Sequence, residues 1–226
     1  MSIAIQSRDV QILKYVYTCR AVAYDQIRRK FFPDIASSIA NRRIAALCDN
    51  GYLCAKSVID EKRFKKYVEA TDKSLALINN EWPYKLDTPH FKSESPAHDI
   101  RMTEFLLRIE RLKSSHSFVS ENLLQSSLYF AEDPILRGFV QIQSDGVLLI
   151  DGNGGDVQVF GLELEISKKT PDRYKDKLSS YYLVNGIDGV FYVCGDTQIL
   201  KSIAKVDKEL CTNRKSLLYF ALETDV

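Results

Sequence analysis

The pattern of hydrophobic and polar residues predicts three helices at the front of this chain. Apolar residues follow Ser7, a residue type that favours helix starts, at approximately helical spacing. A second, short helix is expected over residues 24–32 and a third over residues 36–50, where Gly51 ends it. The third helix can turn apolar residues inward and leave polar residues outside. Its inward residues are Ile39, Ile44, Leu47 and Cys48, and its outward residues are Ser37, Ser38, Asn41, Arg42 and Asp49.

Two strands that form a basic hairpin are expected next. Residues 52–59 and 64–70 have the composition of strands, and the charged sequence DEKR joins them. Three helices followed by a basic hairpin is the order of elements in a winged helix-turn-helix, whose third helix enters the major groove and whose wing contacts phosphates. The candidate DNA-binding residues are Ser37, Ser38, Asn41 and Arg42 in the third helix and Lys62, Arg63, Lys65 and Lys66 in the wing. A solvated face and a surface for a partner protein are the alternatives for these charges.

Residues 79–96 interrupt this pattern and mark a domain boundary. Their sequence, NNEWPYKLDTPHFKSESP, holds three prolines and many polar residues, as connecting segments do. We therefore predict a winged helix-turn-helix domain over residues 1–78, a linker over 79–96 and a second domain over 97–226. With 226 residues, 45% of them hydrophobic, the chain has enough material for two cores.

The second domain is predicted to mix helices and strands, in the α+β or α/β class. An amphipathic helix is expected over residues 97–114, and the later segments alternate between strand and helix character. The expected strands lie near Phe118 and Leu128 and over residues 139–150, 157–167, 189–194 and 217–222, and the expected helices over 171–184 and 199–210. The sequence DGNGGD between two of the strands is typical of a hairpin turn.

Three acids of this domain are candidate metal ligands. Successive side chains of a strand point to opposite faces, so Glu163 and Glu165 share one face of the strand over residues 157–167. Like charges two residues apart repel each other, which favours a compensating cation. Asp145 lies in the expected strand over residues 139–150, and pairing of the two strands would bring the three carboxylates together. A solvated strand edge with unrelated acids is the alternative.

Charge and cysteine content narrow the function classes. The net charge is +1, yet residues 1–75 carry 14 Lys and Arg against 8 Asp and Glu, while the rest of the chain carries 17 against 22. This asymmetry is typical of a DNA-docking module joined to a metal-dependent catalytic module. Five cysteines without a CxxC pair favour neither a disulfide framework nor a structural zinc site. No apolar run has the length of a membrane span, so we expect a cytoplasmic protein without membrane insertion.

The segments AHDIR (residues 97–101), SDG (144–146) and LELEISKKTPDRY (162–174) resemble a known arrangement. An acid before an acidic strand, with lysines just beyond that strand and a leading helix, resembles the PD-(D/E)xK restriction-endonuclease-like fold, a mixed-sheet domain. More narrowly, the segments are similar to the MobC-type relaxases of mobilisable plasmids and their replication-relaxation relatives. Those proteins place a winged helix before such a domain.

The resemblance implies a metal-dependent endonuclease, a relaxase that nicks one strand of a plasmid transfer origin before conjugative mobilisation. Asp145, Glu163 and Glu165 would then bind Mg²⁺ or Mn²⁺. The implied partners are double-stranded plasmid DNA at a transfer origin and a mobilisation accessory or coupling protein. The implied location is the bacterial cytoplasm.

The sequence departs from the nuclease pattern at two positions. The pattern usually places a lysine two residues after the acid, where this chain has Glu165, and Ser144 takes the place of the usual proline before Asp145. The basic catalytic partner must then come from Lys168 or Lys169. Lys169 is preferred, because it continues the odd-numbered face of the strand if the chain stays extended.

Other side chains and other function classes stay open. His98 and Asp99 match the AHD segment and are candidates for metal binding or proton transfer, with helix capping by Asp99 as the alternative. Tyr174, Tyr181 and Tyr182 follow the acidic strand, and core packing is expected of the last two. One alternative to a nuclease is a non-catalytic DNA-binding regulator of plasmid replication or transfer on the same fold, which the missing lysine favours. Another is an adaptor whose acids bind a basic partner.

Overall fold

The computed structural model describes residues 3–60, 63–89, 92–111, 116–152 and 156–224. Helices and strands are combined within these ranges, which confirms the expected α+β class. The chain forms two compact units, Met1–Arg111 and Leu112–Val226. None of the helices in the described ranges has the combined length and hydrophobicity that crossing a bilayer requires.

The first unit combines helices with a small antiparallel sheet. Its elements are α1 (Ser7–Cys19), β1 (Val22–Ala23), α2 (Tyr24–Phe31), α3 (Ser37–Asp49), β2 (Leu53–Asp60), β3 (Arg63–Ala70), α4 (Asp72–Ile78), a short 3-10 turn (Asn79–Glu81) and α5 (Pro96–Ile109). The sheet has the order β1-β3-β2, with Val22 opposite Val68 and Leu53 opposite Ala70. The two-residue strand β1 was not expected, because so short a segment carries no periodicity.

The start of α1 differs in detail from the prediction. Ser7 is the first helical residue, and Gln6 occupies the N-cap position. The Asp9 carboxylate returns to the start of the helix, where it accepts a hydrogen bond from the Gln6 amide at 2.7 Å. Asp9 therefore satisfies the backbone amide of the N-cap residue, and Ser7 lies within the first turn.

The helix α5 belongs to the first unit, which corrects the predicted domain boundary. Ile100 is 2% exposed and joins a buried cluster with Ala21 and Tyr67. The Gln26 side chain donates a hydrogen bond to the Ile100 carbonyl at 2.8 Å. The predicted linker, residues 79–96, also lies in this unit. Because α5 buries its apolar face here, the division between the units falls after this helix and not before it.

The second unit is built on a five-stranded mixed sheet. Its elements are β4 (His116–Ser120), α6 (Glu121–Ser126), α7 (Leu128–Glu132), α8 (Leu136–Ile142), β5 (Gly146–Asp151), β6 (Val157–Glu165), α9 (Pro171–Tyr181), β7 (Gly189–Cys194), α10 (Thr197–Leu210) and β8 (Leu218–Leu222). The strand order is β4-β5-β6-β7-β8. The first three strands are antiparallel, whereas β7 runs parallel to both β6 and β8. The predicted DGNGGD turn joins β5 and β6, and its residues 153–155 lie outside the described ranges.

The segment over residues 139–150, predicted as one strand, is a helix followed by a strand. The end of α8 occupies its first part, Gln143 adopts a left-handed backbone with φ 56°, and β5 starts at Gly146. The Asp133 carboxylate accepts hydrogen bonds from backbone amides at the start of α8, which favours the helix. Periodicity does not distinguish helix from strand in short apolar runs, and the same ambiguity produced the wrong strand near Leu128, which lies in α7.

Candidate functional site

The candidate site lies at the end of β6. Glu163 stands on this strand between Leu162 and Leu164, which are 0% and 4% exposed. Glu163 itself is only 8% exposed, so this part of β6 is covered on both faces. The alternative of a solvated strand edge therefore does not hold for Glu163. The reason is that α9 covers this face of β6 and brings Lys177 and Tyr181 to the Glu163 carboxyl.

Two side chains of α9 hold the Glu163 carboxylate. The Lys177 ammonium lies 3.0 Å from Oε1, and the Tyr181 hydroxyl donates a short hydrogen bond to the same oxygen. Lys177 also donates to the backbone carbonyls of Ile142 and Gln143, at 3.3 and 3.0 Å. Lys177 therefore connects the acid on β6 with the end of α8.

The Tyr181 ring reaches Glu163 across a glycine of β6. A Cβ atom built on Gly161 would stand 2.7 Å from Cε1 of Tyr181, which is too close for any real side chain. The Tyr181 hydroxyl also lies 2.7 Å from Oγ of Ser144, whose own hydroxyl is 2.8 Å from the Gly146 carbonyl. Gly161 thus makes room for the ring, and Ser144 helps to fix its hydroxyl.

Asp145 was predicted to lie within a strand. It lies directly before β5 instead. Gly146, the next residue, pairs with Leu162, so Asp145 stands one position beyond the end of this ladder, on the side of Glu163. Oδ2 of Asp145 accepts a hydrogen bond from the Leu164 amide at 2.7 Å. This bond ties the Asp145 carboxylate to β6.

Burial and a neighbouring like charge favour the protonated form of Glu163. Burial makes the larger contribution and the Asp145 carboxylate adds to it, so that the pKa of Glu163 rises to about 8. Lys177 lowers this pKa without cancelling the rise. Burial also raises the pKa of Glu165, against the opposing effect of Lys169.

The two predicted lysines do not contact Glu163. Nζ of Lys169 lies 3.5 Å from Oε1 of Glu165 and donates a hydrogen bond to Oγ of Ser167 at 2.6 Å. Lys168 is exposed. Lys169 therefore pairs with Glu165, whereas Lys177 pairs with Glu163.

Sequence reasoning missed Lys177, although a signal for it existed. Tyr174 and Tyr181 are buried residues of α9, and Lys177 lies three positions after one and four before the other. Helical periodicity places such a residue on the same face as both tyrosines. A lysine on a buried helix face needs an acidic partner, and Glu163 is that partner. Tyr181 is buried as expected, but it also bonds to the acid.

His98 and Asp99 lie on α5 and belong to the first unit. Oδ2 of Asp99 accepts a hydrogen bond from the Ser93 hydroxyl at 2.6 Å, and Nδ1 of His98 lies 3.4 Å from Oδ1 of Asp99. Ser95, and not Asp99, occupies the N-cap position of this helix. The capping role considered for Asp99 is therefore wrong, and its carboxylate holds the preceding segment.

The predicted three-carboxylate metal centre is not assembled. Within the described ranges, no three side chains from His, Cys, Asp and Glu form a group that could hold a metal ion. Mg²⁺ is, however, commonly bound by one or two carboxylates together with water and substrate phosphates. Asp145 and Glu163, whose charges interact, fit that smaller donor set. Glu165 is engaged by Lys169 instead.

The third helix presents the predicted polar residues at the surface. Ser37, Ser38, Asn41 and Arg42 are all exposed on α3. The Ser37 hydroxyl accepts a hydrogen bond at 2.7 Å from the Arg28 side chain of α2. The inward-facing residues include Ala40, Ile44 and Leu47 but not Ile39, which was predicted to be inward and is 47% exposed.

The wing residues are only partly described. Lys66 is exposed on β3, and Nζ of Lys65 donates a hydrogen bond to Oδ2 of Asp60 at 2.7 Å. Lys62 and the side chain of Arg63 lie outside the described part of the chain. Lys66 is therefore the wing cation whose side chain lies at the surface in these ranges.

Comparison with family models, with curated proteins and with solved structures gives no significant match to this chain.

Proposed function

We propose that this chain is a metal-dependent DNA endonuclease that docks on duplex DNA through its first unit and carries its nicking centre in the second. The observation that carries the proposal is the meeting of Asp145, Glu163 and Lys177 at one end of β6. Acids that bind a divalent ion and a lysine that stabilises negative charge are the side chains that phosphodiester cleavage needs.

The roles of the side chains follow from their positions. Asp145 and Glu163 would hold Mg²⁺ or Mn²⁺, together with water and substrate phosphate oxygens. The ion would supply a polarised phosphate and a bound water of lowered pKa. Lys177 stabilises the negative charge that develops on the phosphate oxygens. It thereby replaces the lysine that the nuclease pattern places two residues after the acid and that this chain lacks. Lys169, beside Glu165, is the second candidate for this part.

The order of elements in the first unit supports DNA docking. The succession α1, β1, α2, α3 and the β2–β3 hairpin is the order that we expect of a winged helix-turn-helix, and β1 pairs with β3 at the edge of the hairpin. The exposed polar side chains of α3 and the excess of basic residues at the front of the chain suit contact with bases and phosphates. The resemblance to MobC-type relaxases extends the proposal to one strand of a plasmid transfer origin, nicked in the bacterial cytoplasm.

Relaxation of supercoiled plasmid DNA that carries a candidate transfer origin tests this proposal, with Mg²⁺ or Mn²⁺ present. Glu163→Gln and Lys177→Met should each slow nicking by about 10²-fold or more, because the first removes a carboxyl group that would bind the ion and the second removes the ammonium group that stabilises negative charge. Glu209→Gln and Lys201→Met are matched controls on exposed side chains of α10 and should nick as the parent chain does. Nicking at the parental rate by both site variants would remove this centre from the reaction.

Calorimetric titration of Mn²⁺ into the full chain gives a readout that does not depend on the DNA site. Asp145→Asn should weaken Mn²⁺ binding. Lys177→Met should strengthen it, because the ammonium competes with the ion for Glu163. A lysine with a purely structural role would not combine tighter metal binding with slower nicking. If the parent chain binds no Mn²⁺, the nuclease proposal fails.

A second candidate is a non-catalytic DNA-binding regulator on the same fold. The observation that favours it is the state of Glu163, whose carboxyl is already held by Lys177 and Tyr181 without a metal ion. The occupation of the usual lysine position by Glu165 points the same way. Tight binding to duplex DNA in the presence of a chelator, without nicking when metal is restored, would select this candidate.

A further inference from the structure

The tip of the β2–β3 hairpin exposes two large apolar side chains. Ile59 is 72% exposed and Phe64 is 67% exposed. The two residues stand opposite each other in the antiparallel register, so their side chains lie on one face of the hairpin. We call them the tip pair. Paired large apolar side chains with this exposure are more typical of a contact surface than of a free one.

The face that carries the tip pair becomes polar and basic one pair farther along the hairpin. Ser57 and Lys66 stand opposite each other there, and both are exposed. An ammonium group therefore lies behind the apolar end on the same face. This order, apolar at the tip and cationic behind it, suits a partner with an apolar interior and an anionic rim.

The opposite face of the hairpin is anchored in the first unit. Val58 packs against the buried cluster that includes Ile100. Asp60, at the end of β2, accepts hydrogen bonds from Lys65 and Arg101, each at 2.7 Å. The tip pair is therefore carried on an element that is already ordered, and less entropy is lost when it makes contact.

The geometry points to an apolar wedge: Ile59 and Phe64 enter the minor groove of duplex DNA and insert between neighbouring base pairs, while Lys66 stays at the phosphates. Apolar wedges of this kind unstack a base step and kink the duplex by about 20–90°. The occupant is DNA because residues 1–75 carry 14 Lys and Arg against 8 Asp and Glu, whereas the same hairpin face of a second copy would bring the same excess of positive charge. The inference rests on the DNA-docking part of the proposed function.

The experiment uses the full chain and duplexes of about 30 base pairs that carry 2-aminopurine beside TA steps, which unstack easily. Binding of the parent chain should raise the 2-aminopurine fluorescence and shorten the end-to-end distance measured by energy transfer. The double variant Ile59→Ser with Phe64→Ser should lose both signals and bind about tenfold more weakly. Phe64→Leu keeps an apolar side chain and should retain part of both signals. Leu77→Ser, a 39% exposed position on α4, is the matched control and should behave as the parent.

The outcomes separate the wedge from DNA docking itself. If the parent chain binds the duplex with no change in either signal, or if the double variant keeps the full signals, the wedge is overturned while DNA docking stands. If the parent chain binds no duplex even at low salt, the DNA-docking proposal fails and the wedge with it. Sedimentation that shows a parental dimer and a monomeric double variant would assign the tip pair to a second copy. Binding to anionic vesicles that the double variant loses would assign it to lipid, and either result overturns the wedge.

Discussion

The buried acids of the first unit and Glu163 of the second unit stand in different electrostatic surroundings. In the first unit each faces its own cation: Asp9 pairs with Arg43, Asp60 with Lys65 and Arg101, and Glu69 with Lys56. In the second unit Glu163 also has a cation, Lys177, but it shares its surroundings with another acid, Asp145. The buried carboxylates of the first unit therefore face cations, whereas Glu163 faces a cation and a second acid together.

The pKa shifts record this difference. Burial alone would raise the pKa of Asp60, but hydrogen bonds from Lys65 and Arg101 hold it below its ordinary value. The pKa of Glu163 moves the other way, to about 8. An acid that faces cations alone stabilises the fold, whereas Glu163, which also faces a second acid, is less stable in its charged form until an added cation relieves it. The comparison therefore separates structural acids from candidate functional ones.

The largest stability effect is expected at Glu163. Its pKa is about 8 in the folded chain against an ordinary value of 4.5, so folding favours the protonated form. The free energy of unfolding is therefore highest below about pH 4.5 as far as this group is concerned. It falls as the pH rises and levels off above about pH 8, a change on the order of 4 kcal/mol. Glu163→Gln should remove this slope and be more stable than the parent at pH 8.

Urea unfolding followed by far-ultraviolet circular dichroism across this pH range measures the slope. Trp82 is the only tryptophan of the chain and lies in the first unit, so its fluorescence identifies the transition of that unit. Glu209→Gln is the control and should keep the parental slope. An unchanged slope in Glu163→Gln would mean that a different group causes the pH dependence and would contradict the raised pKa of Glu163.

A smaller but still large effect is expected from Arg43→Met in the first unit. Asp9 is 1% exposed and would keep a buried charge after its ion-pair partner is removed. The free energy of unfolding should fall by about 3 kcal/mol. Urea unfolding followed by Trp82 fluorescence measures the change. Arg42→Met, at the exposed neighbouring position, should change stability by no more than about 0.5 kcal/mol, and equal losses in the two variants would contradict a structural role for the Asp9 pair.

The smallest effect is expected from Arg29→Met. Hydrogen bonds from Arg29 are the main reason that the pKa of Glu104 falls to about 2. This pair stabilises the fold above pH 4.5 and the contribution is lost as the pH falls toward 2, which is opposite in sign to the effect of Glu163. Both side chains are about 30% exposed, so screening by solvent limits the loss to about 1 kcal/mol.

Acid unfolding followed by Trp82 fluorescence tests this third prediction. Arg28→Met is the matched control on the same helix, because the Arg28 side chain bonds to the neutral Ser37 hydroxyl. The control should keep the parental response to acid, whereas Arg29→Met should flatten it between pH 4.5 and 2. The same flattening in both variants would mean that Glu104 is not the titrating group.

Local patterns predicted the elements better than their assembly. The order of the front helices and hairpin, the helix α5 and the strand β6 follow from periodicity within short windows, and all are present. The sequence pattern does not indicate to which unit α5 belongs, because the apolar face of α5 could pack against any apolar surface. Only contacts such as that between Gln26 and Ile100 decide the matter.

The candidate site was predicted in part for the same reason. Glu163 and Asp145 were recognised as acids, but the burial of Glu163 depends on which helix covers β6. The contact between Lys177 and Glu163 joins a helix to a strand. The alternation of polar and apolar residues within the strand cannot predict such a contact. The preference for Lys169 followed from extending the strand, yet β6 ends at Glu165.

The glycine in the middle of β6 has a consequence for sequence change around the site. Even alanine at Gly161 would collide with the Tyr181 ring, so one methyl group can displace the hydroxyl that bonds to Glu163. A combinatorial library that randomises the acids and lysines should keep position 161 fixed, unless Tyr181 is replaced in the same clone. In a lineage of homologues the two positions are expected to covary, and a chain that lost the tyrosine would be free to replace the glycine.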